Sequence, residues 1–441
     1  MTRPNIVVIA VDTLRPDHLG CYGYARPTSP AIDRLAGRSL VFDRAFAAGI
    51  PTTPSFTTLL TGLHPYRHHV FTHPGEYLSG STLLLAQLAK SAGYTTIGCD
   101  NLVVQGSGRG AWFARGYDYY TGFIYEPFGE QSADLTDRAL RLLSRSCDDP
   151  TFLFVHYWDP HTPYGPRPPY DTLHYQPGSG PVDLADVRAI HPEYYEAFLA
   201  EMHLAHEDYA YVVAQYDGEI SQVDAQIGRL LDELADDTIV LLVSDHGEAF
   251  GEGGLYFDHH GLYDAVTRIT MMLHVPGESG GRIDAMVSTE DALPTLCALA
   301  DLPLPDYPLT GRNVLADGRR DRIVSVESSR QASLALRTES HKLILPITED
   351  ADGRPLPDLY GRPRKPDPLL YDLVADPAES QDVAAACPEI TTTMLTELNA
   401  WRSAEVGADA DPILTTGLSL PYEKFMARRL ARLQEGAGQR G

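Results

Sequence analysis

The sequence predicts an α/β protein, a largely parallel sheet covered by helices on both faces, followed by a smaller α+β region. Three observations carry this. Short apolar runs rich in β-branched residues each end in a polar loop, and amphipathic runs at helical spacing alternate with them. Near residue 330 the texture changes to hairpin-like stretches with proline-rich connections.

In chain order, NIVVIAVD (5–12) reads as the first buried strand. GIPTTPSFTTLLTG (49–62) reads as a helix that Thr52 or Thr53 can cap and Pro54 helps to start. STLLLAQLAKSAGY is a second helical run, and YTTIGCD (94–100) and TFLFVHYWD (151–159) are further strands. The run 208–234 has helical spacing and leads into the strand of DTIVLLVSDHGE (237–248). Beyond it, SLALRTESHKLILP and LLYDLVADPAE read as strands or hairpins, and another helix begins near Pro388. We divide the chain into a larger domain, 1–330, and a subdomain, 331–441, that ends in the basic amphipathic helix YEKFMARRLARLQEG. That helix suits docking or contact with a second subunit, making a homo-oligomer conceivable, better than it suits a membrane surface.

Composition narrows the function. The 441 residues are 43% hydrophobic and 22% charged, enough to bury a large core. A formal charge of -25 argues against nucleic acid as a partner, because phosphate backbones attract basic faces. Five cysteines without CxxC spacing fit isolated thiols in a reducing compartment. The apolar run Ile6 to Val11 is too short for a signal segment or a membrane span, so the expected location is cytoplasmic.

The chemistry starts at strand ends. Asp245 and His246 stand side by side after a continuous apolar strand, and Asp12 ends the first one. Carboxylate and imidazole together suit a divalent cation of the zinc or manganese kind, whereas calcium prefers oxygen alone. Three ligands with a vacant position describe a catalytic rather than a structural site. DPHTPY (159–164) and FDHHGLYD (257–264) then add His161, His259 and His260 in loops beyond strand ends.

Together these segments resemble the sulfatase-like branch of the alkaline phosphatase superfamily. The resemblance runs through NIVVIAVDTLRPDHLGCYGY, PTTPSFTTLLTGLHPYRHHV, HYWDPHTPY, SDHGEAFGEGG and HHGLYD, and continues in VSTEDALPTLCALADLPLPD, LRTESHKLILP and LYDLVADPAE. It implies a mixed, mostly parallel sheet between helices, with a small C-terminal four-stranded subdomain. In the family pattern Cys-x-Pro-Ser-Arg, with its cysteine oxidised to formylglycine, Thr52 takes the cysteine position and Phe56 the arginine position. The resemblance therefore implies no formylglycine here. Thr52 is implied as both metal ligand and nucleophile, its hydroxyl acidified by the cation and by the helix N-terminus. The pair Asp245-His246 is similar to that of phosphodiesterases and phosphonate monoester hydrolases. Cys99-Asp100-Asn101 replaces a sulfate-binding Lys-x-His, leaving Asn101 as a neutral substrate donor, and His259 takes a later lysine position. His161 is implied to bind substrate and stabilise charge, and a histidine of HHGLYD to protonate the leaving group. The expectation is a hydrolase of small anionic esters, of phosphorus first, with a sulfate ester as runner-up and a non-catalytic anion-binding protein as a third reading. One divalent ion, zinc or manganese with calcium possible, is the expected cofactor, and a second metal stays open.

Overall fold

The structure, a computed structural model, describes residues 3–72, 77–100, 111–122, 131–145, 150–177, 184, 188, 192–202 and 208–438. The strand Ile6–Val11, buried along its whole length, lies inside the large sheet between Thr151–Tyr157 and Ile239–Ser244, both parallel to it. Thr95–Cys99 and Tyr119–Thr121 extend the parallel part beyond Thr151–Tyr157. On the other side the direction reverses: Met271–His274 pairs antiparallel with Ile239–Ser244, and Leu40–Phe46 antiparallel with Met271–His274. Gly281–Ser288 runs parallel to Leu40–Phe46. The sheet is thus mixed and mostly parallel at its centre, as the apolar runs predict.

Register decides where chemistry can occur. Val11 pairs with both Tyr157 and Ser244, so Asp12 and Asp245 leave neighbouring strands on the same rung of the C-terminal edge. That edge is where open α/β sheets bind ligands.

Helices cover the sheet. The longest, Tyr209–Asp232, is N-capped by Asp208, whose carboxylate accepts the Tyr211 N–H at 2.6 Å, and it packs against Gln131–Leu143 and Pro30–Ala36. No helix among the described residues is long and apolar enough to cross a membrane.

A second sheet takes its strands in the order Leu369–Asp372, His341–Ile347, Ala332–Arg337, Ile323–Ser328 and Gly49–Ile50. Its own apolar core includes Val326, Leu334, Leu336, Leu343 and Leu398, the last from the helix Pro388–Val406. The parallel pairing of Gly49–Ile50 with Ile323–Ser328 ties this sheet directly to the helix that starts at Thr52.

The two sheets are also joined by charge. Buried Lys342 pairs with Asp264 and, at 2.8 Å, with Glu379, and donates to the Leu262 carbonyl at 3.0 Å. Burial alone would raise the Asp264 carboxyl, but Lys342 and Arg337 overrule it and hold the group below the usual carboxylate range. Lys342→Met should therefore cost about 3 kcal/mol in denaturant unfolding at neutral pH, because buried Glu379 loses its cation and the partly exposed Asp264 keeps only Arg337. For a depressed carboxyl the contribution exists above its unfolded value and fades as pH falls through it, so the penalty should shrink below about pH 4.

Candidate active site

Asp12, Asp245 and His246 converge at the C-terminal edge, each with one ligand atom within 4.8 Å of the others, and all three are buried. His246 Nε2 lies 3.2 Å from Asp245 Oδ2 and 3.9 Å from Asp12 Oδ1. Its other nitrogen, Nδ1, is 3.0 Å from the Gly247 carbonyl, which can only accept; Nδ1 thus carries the proton and Nε2 presents a lone pair to the carboxylates. A side chain at Gly247 would strike the Ala265 carbonyl, a Cβ there coming within 2.1 Å of its oxygen, so the turn after His246 requires glycine.

The backbone supports the same geometry. Thr13, directly after Asp12, adopts the left-handed φ of 54°, and its N–H donates to Asp245 Oδ1 at 3.2 Å. A second N–H, that of His246, reaches the same oxygen at 2.8 Å. Asp245 Oδ2 is buried and accepts no hydrogen bond among the described residues. Burial, then the facing Asp12 carboxylate, raises the Asp245 carboxyl from 3.8 to about 7. Burial, reinforced by His259, lowers His246 to about 4 against the pull of Asp245. Two facing carboxylates with an unsatisfied oxygen and a neutral imidazole fit a divalent cation, which would satisfy that oxygen and offset the mutual repulsion.

Thr52 is the first residue of the helix Thr52–Thr61. Its Oγ1 lies 3.4 Å from Asp12 Oδ2 and 3.4 Å from His246 Nε2. The expected cap is corrected here: Pro51 occupies the N-cap position and no side chain caps the helix. Other hydroxyls of this helix are engaged elsewhere. Thr57, Thr58 and Thr61 donate to carbonyls four residues back, and Ser55 donates to the Asp245 carbonyl at 2.7 Å. Gly62 ends the helix with a left-handed φ of 68°.

The loop histidines form a ladder beside this cluster. His259 stacks on His246 with ring centroids 5.0 Å apart and planes 17° from parallel. His161 is 4.7 Å from His259, and Trp158 packs on His161 at 4.3 Å. His260 adjoins His259 at 5.0 Å. Asn101 lies outside the described residues. Asp159, another strand-end acid, does not join the ligand cluster; it is buried near Glu219, and desolvation lifts it to about 6.

Sequence reasoning missed His156. It is wholly buried in the strand Thr151–Tyr157, with Nε2 3.5 Å from Asp12 Oδ2. Phe56 packs edge-on against it at 4.6 Å, so an apolar ring fills the space beneath the ligands. The one available signal was a histidine inside an otherwise apolar run, TFLFVHYW.

A hydroxyl at a helix start, beside side chains that could hold a cation and next to a row of imidazoles that begins at His246, is the equipment of an ester hydrolase. The Sulfatase family model matches residues 4–302, and the chain belongs to that family of ester-hydrolysing enzymes. It is 26% identical over 388 residues to the sulfatase YidJ of Escherichia coli (strain K12), spanning 75% of this chain and 74% of that one. Iduronate 2-sulfatase of Mus musculus is 28% identical over 392 residues, with 68% and 69% covered. In structure it is similar to the phosphonate monoester hydrolase of Agrobacterium radiobacter, with a TM-score of 0.74, 23% identity, and coverage of 91% and 96%.

Proposed function

We propose that this enzyme hydrolyses phosphodiesters or phosphonate monoesters with the Thr52 hydroxyl as nucleophile. The observation that carries the reading is the position of Thr52 Oγ1, 3.4 Å from both Asp12 and His246 at the start of an uncapped helix. Asp12, Asp245 and His246 would hold one divalent cation, with Thr52 completing the set; imidazole among the ligands favours zinc or manganese over calcium. Bound there, the cation supplies positive charge that acidifies a hydroxyl and offsets charge on the ester oxygens.

The chain's own residues do the rest. Thr52 Oγ1 attacks phosphorus in line, helped by the positive end of its helix. His161 and His259 stabilise charge growing on the non-bridging oxygens. A histidine of the HHGLYD loop gives its proton to the leaving oxygen, and in the second step takes one from the water that attacks the Thr52 ester. Threonine cannot be converted to formylglycine as cysteine is, which supports direct attack by its hydroxyl.

A sulfate ester is the second reading, favoured by the names of the curated relatives, iduronate 2-sulfatase among them. The test compares kcat/KM for matched nitrophenyl phosphodiester, phenylphosphonate and sulfate esters with manganese or zinc supplied. The phosphorus esters should lead by at least about tenfold, the ratio that measures discrimination. A lead for sulfate would reverse the assignment.

A further inference from the structure

His260 is buried, and its two ring nitrogens meet different surroundings. Nδ1 lies 2.7 Å from Asp258 Oδ1, which also accepts the His260 backbone N–H at 3.0 Å. Asp258 Oδ2 accepts a charge-assisted hydrogen bond from Arg330 Nη1. Although burial opposes it, the Arg330 guanidinium holds the Asp258 carboxyl well below the usual carboxylate range. An ionised carboxylate only accepts, so Nδ1 carries the proton of the neutral ring. Nε2, on the opposite edge, has no hydrogen-bond partner among the described residues.

Arg330 is itself fixed. It is buried, donates from Nη2 to the Leu359 carbonyl at 2.8 Å, and lies 3.8 Å from the ring centre of Phe425 in the helix Tyr422–Gly438. Phe257, directly before Asp258, holds a left-handed φ of 57°, a costly conformation for an aromatic residue that the surrounding structure must enforce. His259, by contrast, is stacked on His246 and tilted against His161, which suits charge stabilisation.

We propose that Asp258 and Arg330 are positioning residues that fix the tautomer and orientation of His260, and that His260 Nε2 is the proton donor to the leaving group. This rests on the Thr52 reading above. The Thr52 oxygen forms its bond to phosphorus as the bond to the leaving oxygen breaks. His260 acts as the imidazolium, with Nδ1–H held by Asp258 and a second proton on Nε2. The leaving oxygen takes the Nε2 proton and leaves the neutral Nδ1–H ring. In the second step Nε2 takes a proton from the water whose oxygen bonds to phosphorus, while the Thr52 oxygen departs unprotonated, as it entered. The geometry assigns the terminal helix a place in the support of the site, through Phe425 and Arg330.

The test has two arms. In ¹⁵N-histidine NMR of the whole protein, neutral His260 should show the Nδ1–H tautomer. Asp258→Asn should invert it, because an amide can donate where the carboxylate could only accept. In kinetics, Asp258→Asn should lower kcat/KM on the order of 10²-fold for alkyl esters, whose leaving oxygen needs a proton, and far less for nitrophenyl esters. Arg330→Lys, which keeps the charge but loses the fork, should show the same leaving-group bias in weaker form, and serves if Asp258→Asn fails to fold. An Nε2–H tautomer in the wild type, or equal losses across leaving groups, overturns the proposal. Absence of all ester turnover would refute the Thr52 reading instead, and the tautomer would still decide the positioning.

Discussion

Thr52→Ala should reduce turnover on the order of 10⁴-fold or more while leaving the fold and the divalent-cation content essentially intact. The size follows from the proposed role of Thr52: a covalent nucleophile deleted from a preorganised site leaves only what binding and charge stabilisation can do. Folding should survive because the Thr52 hydroxyl contributes no helix cap, and Asp12, Asp245 and His246 remain to hold the cation. Four other hydroxyls of the helix are committed elsewhere. Ser55 donates to the Asp245 carbonyl, and Thr57, Thr58 and Thr61 are tied to their own helix. Thr52→Ser, which keeps the oxygen, should retain part of the activity. Intact-protein mass spectrometry after a rapid quench should show an ester adduct in the wild type and none in the alanine variant. Undiminished turnover in Thr52→Ala would show that another residue attacks.

The central strands were legible because burial on both faces demands unbroken apolar runs, as in Ile6–Val11 and Ile239–Ser244. Leu40–Phe46 escaped notice because Asp43 and Arg44 interrupt it. The structure places those charges against Arg282 and Asp284 of the adjacent strand, where they can pair. The candidate metal ligands stand out in the sequence as polar residues in positions a core cannot satisfy, yet only the common register with Val11 brings Asp12 and Asp245 together. His156 stayed hidden because a histidine inside an apolar strand reads as core. The helix start was misjudged because threonines beside a proline are ordinary caps, and nothing local reveals that Pro51 takes that place. Asp258 and Arg330 are 72 positions apart and meet only through the fold.

Without a bound cation, the protein should lose stability as pH rises, and a divalent ion should restore it. The argument turns on Asp245, whose carboxyl is lifted from 3.8 to about 7 by burial and by Asp12. Between those values the native state keeps a proton that the unfolded chain has released. Stability therefore falls from about pH 4 to about pH 7 and levels off above, by on the order of 4 kcal/mol for this group alone. Asp159 and Asp224, both raised to about 6 by burial, push the same way, so the share of Asp245 is the difference between wild type and Asp245→Asn. Asp264, held low by its cations, acts in a more acidic window and does not confuse the comparison. In chemical unfolding of cation-free protein near pH 8, Asp245→Asn should thus be as stable as the wild type or more so, although it is inactive. A cation at a thousand times its dissociation constant should add about 4 kcal/mol to the wild type and little to the variant, which has lost a charged ligand and the repulsion that a cation relieves. Equal cation-induced stabilisation of both proteins would mean that the ion binds elsewhere, and a difference between cation-free wild type and Asp245→Asn that does not change with pH would mean that Asp245 is already neutralised by something other than a proton.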